Sequence, residues 1–212
     1  MGIHVPGERV GVSHEGSDVR QGAARHALIE RGNDFIETPG CATEALIRTG
    51  ELERFGDGWI WEPAAGRGAI SAALKEAGFR VISEDLVRYD GAHCFVDPGL
   101  DFLLQTQRKC DAIVTNPPYK LGDQFIRHGL SLGLPVIVLL RLMAIEGAGR
   151  SDIMAQCRRI YAGIERLPFM RREGWTGPRH SNSGAPFGWF VFEPGDNRAG
   201  PIELRRISWR AE

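Results

Sequence analysis

Short apolar runs alternate with amphipathic stretches along the middle of the chain. The amphipathic stretches carry apolar residues at helical spacing, as between Gly122 and Leu130 and between Ile70 and Ala77, where Gly78 then marks a helix end. The apolar runs have the length of strands and occur at residues 59–61, 80–83, 112–114 and 136–140. Strands that are apolar throughout and alternate with helices predict a parallel sheet covered on both faces.

The segments before this alternation predict helices rather than strands. Residues 1–16 lack any periodicity and are expected to form a flexible tail. A helix is predicted over residues 17–31, where apolar residues recur and Gly32 ends the pattern. Thr38 and Pro39 predict the start of a second helix, with Thr38 as the cap and Pro39 at the first helical position.

The segments after Tyr161 predict a different finish to the sheet. Residues 174–188 are rich in Gly, Pro, Ser and Asn and indicate a loop. Residues 189–192 and 202–209 are strand-like, and we expect them to complete the sheet as antiparallel strands. With 212 residues and one repeating pattern, the chain is expected to form a single α/β domain over residues 17–212.

Composition narrows the classes of protein that the chain can represent. Hydrophobic residues make up 42% and charged residues 25%, which is typical of soluble domains. No apolar run is long enough to cross a bilayer, and residues 1–16 lack the apolar stretch of a signal peptide, so a cytoplasmic protein is expected. The four cysteines form no C-x-x-C pair, and no H-x-x-x-H motif occurs, so we expect neither a disulfide framework nor a bound metal.

A glycine-containing turn links the first apolar run to the following helix. Residues 62–68 hold Gly66 and Gly68, which let the backbone approach a ligand closely at the carboxyl end of the sheet. Ser71 stands where a dinucleotide-binding turn has its third glycine, so a pyrophosphate ligand fits poorly. By itself, the segment fits an ordinary tight turn as well as a ligand site.

Two acidic residues end the next predicted strand. A carboxylate at that strand tip, 17 residues beyond Gly68, is placed to accept hydrogen bonds from both hydroxyls of a ribose. Either Glu84 or Asp85 could fill this role, and we favour Asp85; a solvated acid at a strand end is the alternative interpretation. Together with the glycine turn, the acid indicates a cofactor that carries a nucleoside.

The most specific signal is the sequence Asn-Pro-Pro-Tyr at residues 116–119, directly after a buried strand. Pro117 and Pro118 stiffen the turn so that its carbonyl oxygens point outward. The amide oxygen of Asn116 and the carbonyl oxygen of Pro117 can then both accept from an amino group, which makes a nitrogen conjugated to a ring more nucleophilic. Tyr119 offers a ring on which a planar group can stack. This arrangement predicts methylation of an exocyclic amine.

Residues 62–68, 84–85 and 116–119 together resemble the cofactor and catalytic motifs of Rossmann-like amino-methyltransferases. Their order resembles that of the gamma-type DNA adenine-N6 enzymes, and residues 33–39 and 140–192 are similar to the small phage-like members of that group. The resemblance implies a class I methyltransferase fold, with a mostly parallel seven-stranded sheet and helices on both faces. It also implies S-adenosylmethionine as the methyl donor.

The resemblance assigns roles to single residues as well. The implied catalytic residues are Asn116, Pro117, Pro118 and Tyr119, and the implied cofactor contacts are Thr38, Glu62, Ala64, Gly66, Gly68, Asp85, Asp101 and Phe102. Glu62, Ala64 and Gly66 would surround the methionine part of the cofactor. Thr38 would lie near its carboxylate and Asp85 at its ribose. Asp101 would bond the adenine amino group while Phe102 packs on the ring; an ordinary helix cap is the equal alternative for Asp101.

The last part of the chain favours a nucleic acid as substrate, with DNA preferred over RNA. From residue 158 onward there are ten Arg, no Lys and six acidic residues, and the candidate substrate contacts in this region are Arg171, Arg172 and Arg179. No cysteine follows a proline, which excludes the chemistry of the C5-cytosine enzymes. An RNA purine, a glutamine amide of a protein, or a non-catalytic cofactor-binding subunit are the alternative interpretations. No separate recognition domain is evident, so we expect a short or loosely read site, which dimerisation would help to bind.

Overall fold

The computed structural model describes residues 36–107, 110–168, 183–195 and 200–210. The strands in this part of the chain are β1 (Trp59–Glu62), β2 (Arg80–Asp85), β3 (Asp97–Pro98), β4 (Ala112–Thr115), β5 (Val136–Arg141), β6 (Cys157–Gly163), β7 (Phe187–Phe192) and β8 (Glu203–Ile207). They form one sheet in the order β3-β2-β1-β4-β5-β7-β6-β8. The predicted α/β class is confirmed, with eight described strands where seven were expected.

Of the described strands, all but β7 run in the same direction. The strands β3, β2, β1, β4 and β5 pair in parallel, as their continuously apolar sequences predict for four of them. β7 runs antiparallel between β5 and β6, whereas β6 and β8 are parallel to each other. The prediction of antiparallel strands at the end of the chain is therefore confirmed for residues 187–192 and wrong for residues 203–207.

Helices cover both faces of the sheet, as predicted. The described α-helices are α1 (Gly40–Arg48), α2 (Ala69–Glu76), α3 (Gly122–Ser131) and α4 (Ser151–Met154). α1 and α2 contribute Leu46 and Leu74 to one buried cluster, and α3 contributes Phe125 to a second cluster. Ile60 and Trp61, adjacent in β1, belong to different clusters, because successive side chains of a strand point to opposite faces.

The start of α1 differs from the prediction. The helix begins at Gly40, Pro39 occupies the cap position in an extended conformation, and no side chain caps this end. Thr38 therefore does not cap the helix. Its hydroxyl oxygen instead accepts a hydrogen bond from Nδ2 of Asn116, at the end of β4.

The hydrophobic pattern does not predict β6. Two adjacent arginines interrupt its apolar sequence. Arg159 is accommodated because it forms ion pairs with Glu203 on β8 and with the buried Glu51. β3 was not predicted either, because its two residues are too few to show a periodicity.

Several predictions from the sequence concern residues that lie outside the described part of the chain. They are the tail over residues 1–16, the helix over residues 17–31 and most of the loop over residues 174–188. All of the described residues belong to one compact unit, residues 34–212.

The segment that contains Ser208 and Trp209 is hydrogen-bonded to α1 and to the turn after β6. Trp209 is buried, and its indole N–H donates to the carbonyl oxygen of Glu165 at 2.9 Å. The guanidinium group of Arg48, in the last turn of α1, donates to the carbonyl oxygen of Ser208 at 2.9 Å. Gly163 is required beside this segment, since a Cβ atom there would overlap the indole ring of Trp209.

We expect Gly163→Ala to lower the free energy of unfolding by about 1–3 kcal/mol, because the added methyl group displaces the packed Trp209 ring. Urea denaturation followed by circular dichroism measures this change. Gly149→Ala is the matched control, since a Cβ atom at that position meets nothing within 4 Å. A wild-type denaturation midpoint in Gly163→Ala would contradict the packing of Trp209 against β6.

Candidate active site

Two strand ends lie next to each other at the carboxyl edge of the sheet. β1 and β4 are neighbours, with Trp61 paired to Ile113, and the strand order changes direction between them. In open parallel sheets, the crevice outside such a switch point is the usual ligand site. β1 delivers residues 62–68 to this crevice, and β4 delivers residues 116–119. The structure thus brings the two sequence motifs together.

The glycine turn has a backbone conformation that glycine adopts far more readily than other residues. Gly66 and Gly68 have φ angles of 57° and 80°, in the left-handed region. A Cβ atom on Gly68 would lie 2.7 Å from Sγ of Cys94, so a side chain here would have to displace the Cys94 thiol. The neighbouring His93 donates its backbone N–H to the carbonyl oxygen of Arg67 at 2.7 Å. The loop after β2 therefore lies against the turn.

Glu62, at the end of β1, is buried, with 1% of its surface exposed. Its Oε2 atom accepts hydrogen bonds from the backbone N–H and from the hydroxyl group of Ser71. Ser71 is the third residue of α2, and the cap position of this helix is Gly68, which has no side chain. Glu62 therefore supplies the acceptor that the helix cap lacks. This position at the positive end of a helix favours the charged carboxylate.

Burial nevertheless raises the pKa of Glu62 to about 8. Loss of hydration is the largest cause, and the nearby carboxylate of Asp85 acts in the same direction. The hydrogen bonds from Ser71 and the charge of Lys75 act in the opposite direction. A cation placed beside Glu62 would therefore shift it towards the carboxylate form near neutral pH.

Asp85 and Glu84 end β2 and contact different parts of the protein. Asp85 accepts hydrogen bonds from the backbone N–H groups of Gly66 at 2.7 Å and Val87 at 2.8 Å, which ties the strand tip to the glycine turn. Burial raises the pKa of Asp85. Glu84 accepts a hydrogen bond from the indole N–H of Trp61 at 3.1 Å. Both acids are bonded to the turn, Glu84 through its backbone carbonyl oxygen and Asp85 through its side-chain carboxylate.

The side chain of Asn116 is held by the segment that precedes α1. Its Nδ2 atom donates to Oγ1 of the buried Thr38 at 3.0 Å, although the two residues are 78 positions apart. A hydrogen bond through the nitrogen fixes the plane of the amide, and with it the position of the amide oxygen. Thr38 thus lies at the Asn-Pro-Pro-Tyr segment as well as next to α1.

Tyr119 begins a short 3-10 turn, Tyr119–Leu121. The guanidinium group of Arg141, at the end of β5, lies 4.9 Å from the centroid of the Tyr119 ring. The ring of Phe187 lies on β7, with its centroid 6.4 Å from that of Tyr119. The ring predicted as a stacking surface therefore has a cation and a second aromatic ring beside it.

Asp101 and Phe102 form a capped turn over a buried ring. Asp101 caps the 3-10 turn Phe102–Leu104 by accepting a backbone N–H at 3.1 Å, which is the alternative weighed for it from the sequence. Phe102 is buried, and its ring centroid lies 5.1 Å from that of Trp61 and 4.8 Å from that of Phe125. A contact of either residue with a cofactor adenine stays a prediction.

Among the other predicted contacts, the structure describes Ala64 but not the three arginines. Ala64 packs against the buried cluster beneath the turn. The three predicted substrate contacts, Arg171, Arg172 and Arg179, lie outside the described residues.

Three polar residues near Glu62 were not identified from the sequence as part of the site. The register of β1 and β2 sets Ser83 opposite Glu62. The Ser83 hydroxyl donates to Ser71 at 2.7 Å, and Lys75 donates to Ser83 at 3.0 Å. The sequence signal for these residues is Ser71, which stands where a dinucleotide-binding turn has its third glycine.

Solved structures share this architecture at low sequence identity. One, assigned as a class I S-adenosylmethionine-dependent methyltransferase from Listeria monocytogenes, aligns with 90% of this chain and 73% of its own, with a TM-score of 0.54 and 16% identity. Another, assigned as an RNA methyltransferase from Pyrococcus horikoshii, aligns with 76% of this chain and 87% of its own, with a TM-score of 0.52 and 15% identity. The fold is that of class I methyltransferases.

A third structure with the class I methyltransferase fold comes from a larger protein. It is assigned as a modification subunit of a type I restriction enzyme from Vibrio vulnificus, and it has a TM-score of 0.51 and 13% identity over 92% of this chain. This chain spans 53% of that subunit. No protein-family model and no curated protein matches the sequence. These similarities therefore assign the fold and not the reaction.

The rest of the described chain adds little to the chemistry of the crevice. No described helix combines the length and the hydropathy needed to span a membrane. Within the same residues, no three potential metal ligands lie close together. Cys41, Cys94, Cys110 and Cys157 are free thiols.

We expect Asp85→Ala to weaken the binding of S-adenosylmethionine by about 1–3 kcal/mol, because the buried N–H of Gly66 would lose its acceptor and the predicted ribose contact would be removed. Isothermal titration calorimetry measures the affinity, and Glu84→Ala is the matched control. A loss of affinity in Glu84→Ala together with normal affinity in Asp85→Ala would transfer the ribose contact to Glu84.

The free energy of unfolding should depend on the ionisation of Glu62. Its pKa is about 8 in the folded protein, against an ordinary value of 4.5. Between these values the folded protein keeps a proton that the unfolded chain releases, so this contribution to stability is complete below pH 4.5 and is lost as the pH rises towards 8. Urea denaturation between about pH 5 and about pH 8 should show this decline in the wild type and a smaller decline in Glu62→Gln. Parallel pH curves for the two proteins would contradict the raised pKa.

Proposed function

We propose that the protein is an S-adenosylmethionine-dependent methyltransferase that methylates the N6 amino group of adenine in DNA. The observation that carries this proposal is the meeting of two segments at one crevice. The first is the glycine turn with its buried carboxylates, which suits a methyl donor built from a nucleoside and an amino acid. The second is the Asn-Pro-Pro-Tyr segment with its amide oriented by Thr38, which suits a planar amine.

The residues at the glycine turn fit S-adenosylmethionine. Gly66 and Gly68 have left-handed conformations that favour glycine, and residues without side chains let the backbone of the turn approach a ligand closely. Glu62 and Asp85 are buried acids with raised pKa values, and they match a ligand that brings an ammonium group and ribose hydroxyls. When bound, this cofactor supplies a methyl group on a sulfonium centre that a positioned amine can displace directly.

The Asn-Pro-Pro-Tyr segment would prepare the amine for this displacement. The amide oxygen of Asn116 and the carbonyl oxygen of Pro117 would accept the two hydrogens of the amine. Their pull keeps the nitrogen lone pair from delocalising into the ring, which makes the nitrogen more nucleophilic. Tyr119 would stack on the base, and the contact with Thr38 would keep the Asn116 amide in its orientation.

Cationic side chains support a nucleic acid as the substrate. The guanidinium group of Arg141 lies beside the ring of Tyr119, where it can meet a phosphate while the ring stacks on a base. The sequence adds Arg171, Arg172 and Arg179 in the following region. Proteins with the same fold include one named as an RNA methyltransferase and one named as a restriction-enzyme modification subunit. In duplex DNA, the adenine would have to leave the base stack to reach the crevice.

Asn116→Ala is expected to abolish turnover and to leave cofactor affinity nearly unchanged, because the amide meets the target amine and not the cofactor. Transfer of tritium from labelled S-adenosylmethionine measures turnover, and calorimetry measures affinity. Gln124→Ala, which removes an exposed amide on α3, is the matched control. The proposed mechanism is wrong if Asn116→Ala keeps the turnover number of the wild type.

The class of substrate is tested by offering DNA, RNA and protein to the same labelled reaction. We expect N6-methyladenine in digested DNA. Labelled RNA with unlabelled DNA would move the proposal to an RNA purine, and labelled protein alone would move it to a glutamine amide. Cofactor binding without transfer to any of the three would identify a non-catalytic subunit.

Binding of DNA should weaken steeply with salt, because neutralising phosphates releases counterions. Replacing Arg171, Arg172 and Arg179 together should weaken binding to all DNA sequences without changing cofactor affinity. Tyr119→Ala should instead cost more on duplex than on single-stranded DNA, if stacking holds the base outside the helix. Fluorescence anisotropy with labelled oligonucleotides measures both effects, and salt-independent binding would contradict phosphate contacts.

A further inference from the structure

A chain of hydrogen bonds connects a surface lysine with the buried carboxylate of Glu62. Nζ of Lys75 donates to Oγ of Ser83 at 3.0 Å, and that hydroxyl donates to Oγ of Ser71 at 2.7 Å. The Ser71 hydroxyl in turn donates to Oε2 of Glu62. The chain is built from α2, β2 and β1, so it is more than a local turn.

The direction of this chain is fixed by its first member. An ammonium group can only donate, so Ser83 accepts from Lys75 and directs its own proton to Ser71. Ser71 then directs its proton to Oε2 of Glu62, which also accepts the backbone N–H of Ser71 at 2.8 Å. Because two donors already point at Oε2, a proton held by Glu62 has to lie on Oε1, and Oε2 stays an acceptor. The chain therefore presents Glu62 as an acceptor.

Burial makes this arrangement sensitive to the loss of any member. Ser71, Ser83 and Glu62 are 0%, 6% and 1% exposed, so water cannot replace a missing partner. Two charged groups act on Glu62 from the elements packed around it. Asp85 on β2 opposes ionisation of Glu62, and Lys75 on α2 favours it. The charge of Lys75 thus counteracts the effect of Asp85 on the pKa of Glu62.

We propose that Lys75 is a positioning residue for the cofactor: through Ser83 and Ser71 it keeps Glu62 ready to bind the ammonium group of S-adenosylmethionine. This inference rests on the proposed function, in which Glu62 contacts the methionine part of the cofactor. Lys75 itself is exposed, and its other described contact is Sγ of Cys94 at 3.7 Å. Its effect on the cofactor is therefore indirect and depends on the intact chain.

Lys75→Met tests the inference, because methionine keeps an unbranched side chain and removes the ammonium group. Titration calorimetry with S-adenosylhomocysteine, which has the same amino-acid part, measures affinity without turnover. Near pH 7, we expect the dissociation constant to rise about threefold to tenfold. The difference from the wild type should shrink above about pH 8, because Glu62 then ionises without help.

Proton release gives a second measurement that a purely structural role would not change. An ammonium group binds the carboxylate form, so a proton held by Glu62 is released on binding, and the heat depends on the ionisation enthalpy of the buffer. Near pH 8, the wild type should release a fraction of a proton and Lys75→Met a larger fraction. Glu62→Gln gives the baseline, because its amide cannot ionise.

Further variants distinguish the effect of the hydrogen-bond chain on affinity from the effect of the Lys75 charge alone. Lys75→Arg keeps a cation and should retain most of the affinity. Ser83→Ala breaks the chain while Lys75 remains, and it should weaken binding about as much as Lys75→Met does. The double variant should bind no more weakly than the weaker single variant, because both changes interrupt one chain. Arg206→Met removes an exposed cation on β8 and is the charge-matched control, with wild-type affinity expected.

Equal affinity and equal pH dependence in Lys75→Met and the wild type would overturn the inference. Additive losses in the double variant would also overturn it, since two independent effects would then be acting. A loss that is the same at every pH, or a lowered urea midpoint that accounts for it, would assign Lys75 to the local fold instead. Normal cofactor binding without methylation of any nucleic acid would contradict the proposed substrate and leave this inference intact, whereas no binding by the wild type would overturn both.

Discussion

The burial of acidic side chains where parallel strands end is the constraint on which the candidate site depends. Carboxylates lose hydration at this edge, and the pKa of Glu62 rises to about 8 as a result. The fold partly compensates with backbone donors: the N–H of Gly66 binds Asp85, and the N–H of Ser71 binds Glu62. The glycine turn is therefore needed both for its left-handed backbone and for the N–H donor of Gly66. A ligand with a positive charge and hydroxyl groups would add to the stabilisation that the backbone N–H groups give these carboxylates.

Much of this arrangement follows from the sequence. Short apolar runs predict the strands β1, β2, β4 and β5, and a parallel sheet brings their carboxyl ends to one edge, so the two motifs could be placed together. What could not be predicted depends on partners that are distant in sequence. Thr38 has the local sequence of a helix cap, yet its hydroxyl binds Asn116, 78 positions away. Residues 157–163 are too polar to predict a strand until the ion pair of Arg159 with Glu51 is known.

Some residues of the site stand out in the sequence although their contacts do not. Ser71 is visible as a serine in the place of a glycine, and Ser83 is visible as a polar residue ending an apolar run. Only the structure shows that they meet, because the strand register sets Ser83 opposite Glu62 and the Ser83 hydroxyl donates to Ser71. Asp101 and Phe102 show the reverse, because a two-residue pattern that fits a cofactor contact also fits a capped turn over a core ring. The structure shows the contacts of the capped turn.

α1 is held by hydrogen bonds with residues that are distant in sequence. The indole N–H of Trp189 donates to the carbonyl oxygen of Ala42, 147 positions earlier, and Arg48 reaches the carbonyl oxygen of Ser208, 160 positions later. The segment before α1 holds Thr38, which contacts the Asn-Pro-Pro-Tyr motif, so contacts of large sequence separation hold both α1 and this motif. Such contacts form more slowly than local ones, so the first strands of the sheet can pair before the site is assembled.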